Sequence, residues 1–147
     1  MNALTIKSIL AMSMALMVAG SVVADDTKIR VKVDGFKGAT GQAIVSLFQK
    51  SDGFPERHQH AFRTRVANIS GDHADVEFAG VPKGEYAVSV IHDANNNGEA
   101  DATWLGVPME GYGTSGNTTV FYGPPKFSDS KVQVKSPTEV LEIEMRY

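Results

Sequence analysis

In the stretch Asp93-Ala94-Asn95-Asn96-Asn97-Gly98-Glu99-Ala100-Asp101, residue type and spacing point directly to chemistry. Oxygen-bearing side chains fall at its first, third and fifth positions and glycine at its sixth, which is the opening of a calcium loop of the EF-hand type. A hard divalent cation needs roughly six to eight oxygens at short range. Alternate residues of a tight turn aim their oxygens inward, and glycine permits the bend. Glu99, at the seventh position, would offer its backbone carbonyl, and Asp101, at the ninth, a carboxylate. The pattern then departs from the EF-hand: Trp104 stands at the twelfth position in place of a bidentate glutamate, and the flanks read as strand and loop, not as two helices. The missing carboxylate is assigned to Glu110, in the same long loop. The expected ligands are therefore Asp93, Asn95, Asn97, Glu99, Asp101 and Glu110, and the expected ion is Ca2+. With so few carboxylates the dissociation constant falls in the range of about 10⁻⁴–10⁻³ M. Magnesium fits less well, because it demands stricter octahedral geometry. The competing reading is an Asn/Gly-rich turn of solvated polar groups.

Other reactive side chains carry less. His58 and His60 are two apart and would share a face on a strand, but no third ligand is evident and Arg57 and Arg63 flank them, so exposed polar residues are the better reading. His92 is expected to orient the loop through a hydrogen bond, and His73 falls in a turn. Ser115 sits in Gly113-Thr114-Ser115-Gly116, which lacks the spacing of a nucleophile elbow. Asp101 and Glu110 could pair as acid and base, yet cation ligation explains them more simply. Trp104, Tyr112, Phe121 and Tyr122 lie in or beside the loop and could stack on sugars; the simpler expectation is that they pack and anchor it. Asn68-Ile69-Ser70 and Asn117-Thr118-Thr119 match glycosylation sequons, a pattern common by chance.

The elements that must position this loop read as strands. Ile29, Val31 and Val33 alternate with Arg30 and Lys32; Ala74, Val76 and Phe78 with Asp75 and Glu77; Leu141, Ile143 and Met145 with Glu142, Glu144 and Arg146. Strict alternation marks strands with one buried face. Gln42 to Phe48 is apolar on both sides and is expected to be central. Tyr86, Val88 and Val90 form another strand, Val132 and Val134 a short one, and an extended segment is predicted from His60 to Ile69 with Phe62 as its anchor. Gly35, Gly38, Gly53-Phe54-Pro55, Ser70-Gly71-Asp72 and Gly80-Val81-Pro82-Lys83-Gly84 punctuate them as turns. The prediction is an all-β, antiparallel sandwich of seven or eight strands, with Val31, Leu47, Phe78, Tyr86, Val88, Val90 and Ile143 in its core. No stretch holds a helical period for three turns. Residues 93–118 form a long glycine-rich loop, and connections of such length in a compact domain are usually functional or disordered. Trp104, Leu105, Val107, Met109 and Tyr112 are expected to pin it down.

Residues 1–24 differ from the rest: Lys7 is their one charge, an apolar run spans Ile9 to Val18, and Ala24 closes a small-residue exit. This describes a secretory signal peptide, with residues 25–147 as one mature domain. The apolar run is too short to cross a bilayer, and no membrane span is expected in the mature form. Cysteine is absent, which excludes disulfides, a cysteine zinc site and a lipid anchor on an N-terminal cysteine. The net charge of −3 argues against a nucleic-acid partner. The mature length suffices for one core that buries roughly two-thirds of the extended-chain surface.

Several stretches together resemble the bacterial family called domain of unknown function 2141: Phe78 to Val88, His92 to Gly98, Asp101, Gly106 to Gly113, Ser115, Pro124-Pro125 and Phe127. The resemblance spans nearly all of the mature chain and implies an exported bacterial protein with no established activity. The Val81-Pro82-Lys83-Gly84-Glu85-Tyr86 turn is also similar to the hairpin of transthyretin-like and carboxypeptidase-regulatory-like domains, which implies an immunoglobulin-like sandwich. The expectation is a periplasmic or secreted, non-enzymatic binding or structural module with a calcium loop and an extracytoplasmic protein or glycan as partner. The alternatives are a carbohydrate or small-ligand binder using the loop aromatics and, further off, a calcium-dependent hydrolase.

Overall fold

The computed structural model describes residues 27–147 apart from Trp104; the expected signal segment and Trp104 lie outside the described residues. Alternating apolar residues form β1 (Lys28–Asp34), β4 (His73–Phe78) and β8 (Thr138–Glu144), which make one sheet in the order β4-β1-β8. Val31 lies between Val76 and Leu141 in that sheet, and Val33 between Ala74 and Ile143, so the apolar face is continuous across three strands. The opposite face carries Arg30, paired with Glu77 at 3.0 Å, and faces water.

The second sheet runs β3 (Arg63–Asn68), β2 (Gln42–Phe48), β5 (Gly84–Asp93), β6 (Tyr112–Thr114), with β7 (Val132–Val134) pairing the start of β5. Its inner face, including Ala43, Val45, Leu47, Tyr86, Val88 and Val90, packs on the first sheet and closes one core. The seven residues predicted for the core are at most 1 % exposed. β2 is central, as its two-sided apolar character requires. β5 is buried along nearly its whole length, because its outer face is also covered. There Phe48, Phe54 and Phe127 stack edge to face, with centroids 5.3 and 5.9 Å apart, and carry a single-turn helix, α1 (Phe127–Ser130), over the sheet.

Four features differ from the sequence reading. β8 runs parallel to β1; nearly the whole chain separates the two, so no hairpin dictates their direction. The Val81–Gly84 turn joins strands of opposite sheets, not a hairpin within one. It is fastened by Tyr86, whose hydroxyl donates to the Pro82 carbonyl at 2.8 Å in the manner of a tyrosine corner. The extended segment predicted from His60 begins only at Arg63, and His58–His60 is a 3-10 turn, so the two histidines do not share a strand face. β6 lies inside the predicted long loop: three residues with a central glycine carry no readable alternation, and the strand exists through its pairing with β5.

Candidate functional site

Asp93 is the last residue of β5, fully buried on the outer face of the second sheet beside its cross-strand neighbour Gln42. Gln42 donates an amide N–H to Asp93 Oδ2 at 2.7 Å. The chain then turns back on itself, and the N–H groups of Asn97 and Gly98 donate to Asp93 Oδ1 and Oδ2 at 3.0 and 2.9 Å. The turn uses left-handed backbone at Asn96 (φ 57°) and Gly98 (φ 78°), conformations that asparagine and glycine tolerate best. Burial pushes the Asp93 carboxyl pKa up, but hydrogen bonds from Gln42 and from the backbone of Gly98, Asn97 and Asn96 outweigh it and hold it below the usual carboxylate range.

The same network gathers the other predicted residues. Asn95 Oδ1 accepts from the Asn97 N–H at 3.1 Å and Asn97 Oδ1 from the Glu99 N–H at 2.9 Å, two successive Asx turns. The amide groups of Asn95 and Asn97 donate to Asp101 Oδ2 and Oδ1 at 2.7 and 2.9 Å. Glu110 reaches in from the far side of the loop and accepts from the Ala94 N–H at 2.9 Å and the Asp101 N–H at 3.1 Å, one with each oxygen. It ties together the two ends of the segment. Glu99 enters through its N–H. Among the described residues no group of three or more His, Cys, Asp or Glu is placed to hold a metal. The carboxylates meet N–H donors here and do not converge on one point.

Among the described residues, polar bonds hold the Asp93–Asp101 turn. Leu105, Val107 and Met109 are 68, 56 and 69 % exposed, so these three of the predicted apolar pins face water, while Trp104 lies outside the described residues. Phe121 and Tyr122 are each 97 % exposed and pack on nothing, while Tyr112 is half-buried in β6. Phe62, the expected anchor of its segment, is 37 % exposed and leans on the Tyr86 ring.

His92 meets the long loop through its backbone N–H, which donates to the Gly111 carbonyl at 2.8 Å, and not through its ring. It lies on the inner face of β5, its Nε2 2.8 Å from the Thr40 carbonyl and its Nδ1 2.7 Å from the Tyr147 hydroxyl. The carbonyl can only accept, so Nε2 carries a proton, and the Tyr147 hydroxyl then donates to Nδ1 in the neutral ring. Tyr147 in turn accepts from the Lys37 N–H at 2.9 Å. Ser115 is buried; its Oγ accepts from the Val88 N–H and donates to the Ser130 carbonyl, which makes it a fastener of α1 to β5. Asn117 bonds the backbone of Glu142 and Glu144 through its side chain, so that sequon is engaged in the fold.

Two residues escaped the sequence reading. Gln42 bonds Asp93 from 51 positions away, and no local pattern announces it. Gly41 (φ +78°) lets the β1–β2 connection pass against the loop: a Cβ there would stand 2.1 Å from the Asp93 carbonyl and 2.6 Å from Ala94 Cα.

Fold and site together define a two-sheet β-sandwich with a carboxylate-braced loop at the end of its central strand. Over residues 31–141 the chain matches the family described as "Uncharacterized protein conserved in bacteria (DUF2141)", and it belongs to that family. No curated protein and no solved structure matches it.

Proposed function

We propose that the protein is an exported, non-catalytic binding or structural module whose Asp93–Asp101 loop takes a calcium ion. The observation that carries this reading is the folding of Asp93, Asn95, Asn97, Asp101 and Glu110 into one network around a single tight turn. Each Asn oxygen accepts a single N–H bond in that network and has a second lone pair that can face a cation. Calcium draws on such amide and carbonyl oxygens as well as on carboxylates, so a site of this kind needs no cluster of acidic side chains. Ion entry would exchange the Asn amide contacts on Asp101 for cation contacts. The basic, apolar, small-residue pattern of residues 1–24 supports export to the periplasm or medium.

The test is a thermal melt in chelator and in millimolar calcium, with magnesium as control. Binding to the folded state alone contributes RT ln(1 + [L]/Kd), about 1.4 kcal/mol at ten times Kd, which raises Tm by about 3–6 °C for a domain of this size. Asp93→Asn should remove most of that gain. Glu110→Gln should loosen the loop already in chelator, seen as faster amide exchange at Ala94 and Asp101, because an amide replaces one of the two accepting oxygens. Identical melts in chelator and calcium, with no heat of binding by calorimetry, would leave the loop as a polar turn only.

A further inference from the structure

Three residues brace the loop from different parts of the chain: Asp93 at the end of β5, Gln42 at the start of β2 and Glu110 just before β6. Their neighbours in sequence include His92, Thr40-Gly41 and Gly111. One side chain, that of Tyr147, ties these three neighbouring segments together.

Tyr147 lies beyond β8, on a short backbone ladder with the start of β6. The Tyr112 N–H donates to the Arg146 carbonyl at 2.9 Å, and the Arg146 N–H to the Tyr112 carbonyl at 2.8 Å. The ring rests on Gly111, where a Cβ would collide with its Cε1 and Cζ. Its hydroxyl stands 2.7 Å from His92 Nδ1, and the two rings meet edge to face. The other ring nitrogen of His92 holds the Thr40 carbonyl at 2.8 Å. The hydroxyl also accepts the Lys37 N–H at 2.9 Å, and the Lys37 ammonium lies 4.6 Å from the ring centroid. The β1–β2 connection, the end of β5 and the start of β6 thus meet on one ring.

The pairing of β5 with β6 ends at Ile91 and Tyr112. Among the described residues, the His92 N–H to the Gly111 carbonyl is the last backbone bond between them before Asp93 and Glu110 diverge. The separation of those two carboxylates is therefore set at the His92–Gly111 step, where Tyr147 sits. Burial does not account for Tyr147: it is 49 % exposed and adds little to the core. Without its hydroxyl, buried His92 would lose the partner of Nδ1.

We propose that Tyr147 is a positioning residue for the Asp93–Asp101 loop, which fixes the spacing of Asp93 and Glu110 and thereby sets the loop's affinity for its cation. This rests on the calcium reading above. A cation held by oxygens on two arms binds more tightly when both arms are in place beforehand, because ordering an arm on binding costs affinity. Tyr147 acts through His92 and Gly111 and touches no ligand itself.

The experiment measures calcium binding by calorimetry, and amide exchange in chelator, for the unaltered protein and four variants. Tyr147→Phe keeps the ring on Gly111 and removes the hydroxyl, whereas Tyr147→Ala removes both. Gly111→Ala keeps Tyr147 and displaces its ring, so it tests the tie from the other side. Val31→Ala, buried in the other sheet, is the control for general loosening. Tyr147→Phe should weaken calcium by about two- to tenfold, the loss of one hydrogen bond. Tyr147→Ala and Gly111→Ala should weaken it by about tenfold or more. In chelator the Ala94 and Asp101 N–H groups, which bond Glu110, should exchange faster in the same order. Val31→Ala should lower stability to denaturant and leave calcium affinity unchanged. No calcium heat from the unaltered protein would remove the calcium reading and this inference with it. Calcium binding that is equally tight in the Tyr147 and Gly111 variants would overturn this inference alone. So would a Val31→Ala variant that loses as much affinity as they do, because the effect would then be one of general stability.

Discussion

Asp93 shows how a single buried carboxylate can be held ionised. Its burial alone would favour the neutral acid, but Gln42 and the backbone donors of the turn stabilise the anion more. The sign of the pH effect follows. With its pKa lower in the folded than in the unfolded chain, Asp93 contributes stability that is fully present above the unfolded carboxylate pKa and is lost as pH falls through the lowered folded value. Glu139 acts in the same sense: the N–H groups of Ser136 and Lys135 lower its pKa against a small opposing effect of burial. An acid titration of Tm in chelator should therefore fall on the acid side, and Asp93→Asn should flatten that limb in part, with Glu139 accounting for a remainder. An unchanged acid limb in Asp93→Asn would show that the hydrogen bonds do not favour the anion over its neutral isostere.

Elements meet the loop through close backbone approach, and two glycines separate conformation from space. Gly41 and Gly98 both have φ of +78°, but a Cβ at Gly41 would strike Asp93 and Ala94, whereas one at Gly98 would meet nothing within 4 Å. Gly98→Ala should cost about 1 kcal/mol, the strain of a left-handed alanine. Gly41→Ala adds steric displacement of the end of β5 and should cost on the order of 3 kcal/mol in total, with disturbed amide shifts through residues 93–98. Chemical denaturation of the two variants checks the ordering; equal costs would mean that the connection moves aside. In the packed interior, Phe78→Ala removes a fully buried ring between the sheets and should cost about 3–5 kcal/mol by the same measurement.

For the whole molecule, one core joins the two sheets, so the domain should unfold in a single cooperative transition. The proposed export would act on the chain as a unit. Processing after Ala24 is expected from the small residues Val22-Val23-Ala24 followed by Asp25-Asp26. Intact mass of the protein recovered outside the cytoplasm should correspond to residues 25–147; a species that retains the apolar run would contradict the processing.

The strands carrying Val31, Phe78, Val88 and Ile143, and the acidic turn after Asp93, were legible in the sequence because each is written in neighbouring residues: a period of two for a half-buried strand, Asn and Gly for a tight turn. Side-chain identity there settles local backbone and which face is apolar. The three-residue β6 carries too few residues for a period and needed its partner strand to exist at all. What lies across the chain had no local mark. The parallel pairing of β1 with β8, the passage of β4 to β5 between sheets and the reach of Gln42 to Asp93 all join distant segments, and their partners are chosen by packing of the assembled faces. The exposure of Leu105, Val107, Met109, Phe121 and Tyr122 has the same origin. An apolar side chain anchors a loop only where tertiary structure supplies a surface to bury it, and here N–H donors to Asp93 and Glu110 hold the Asp93–Asp101 turn.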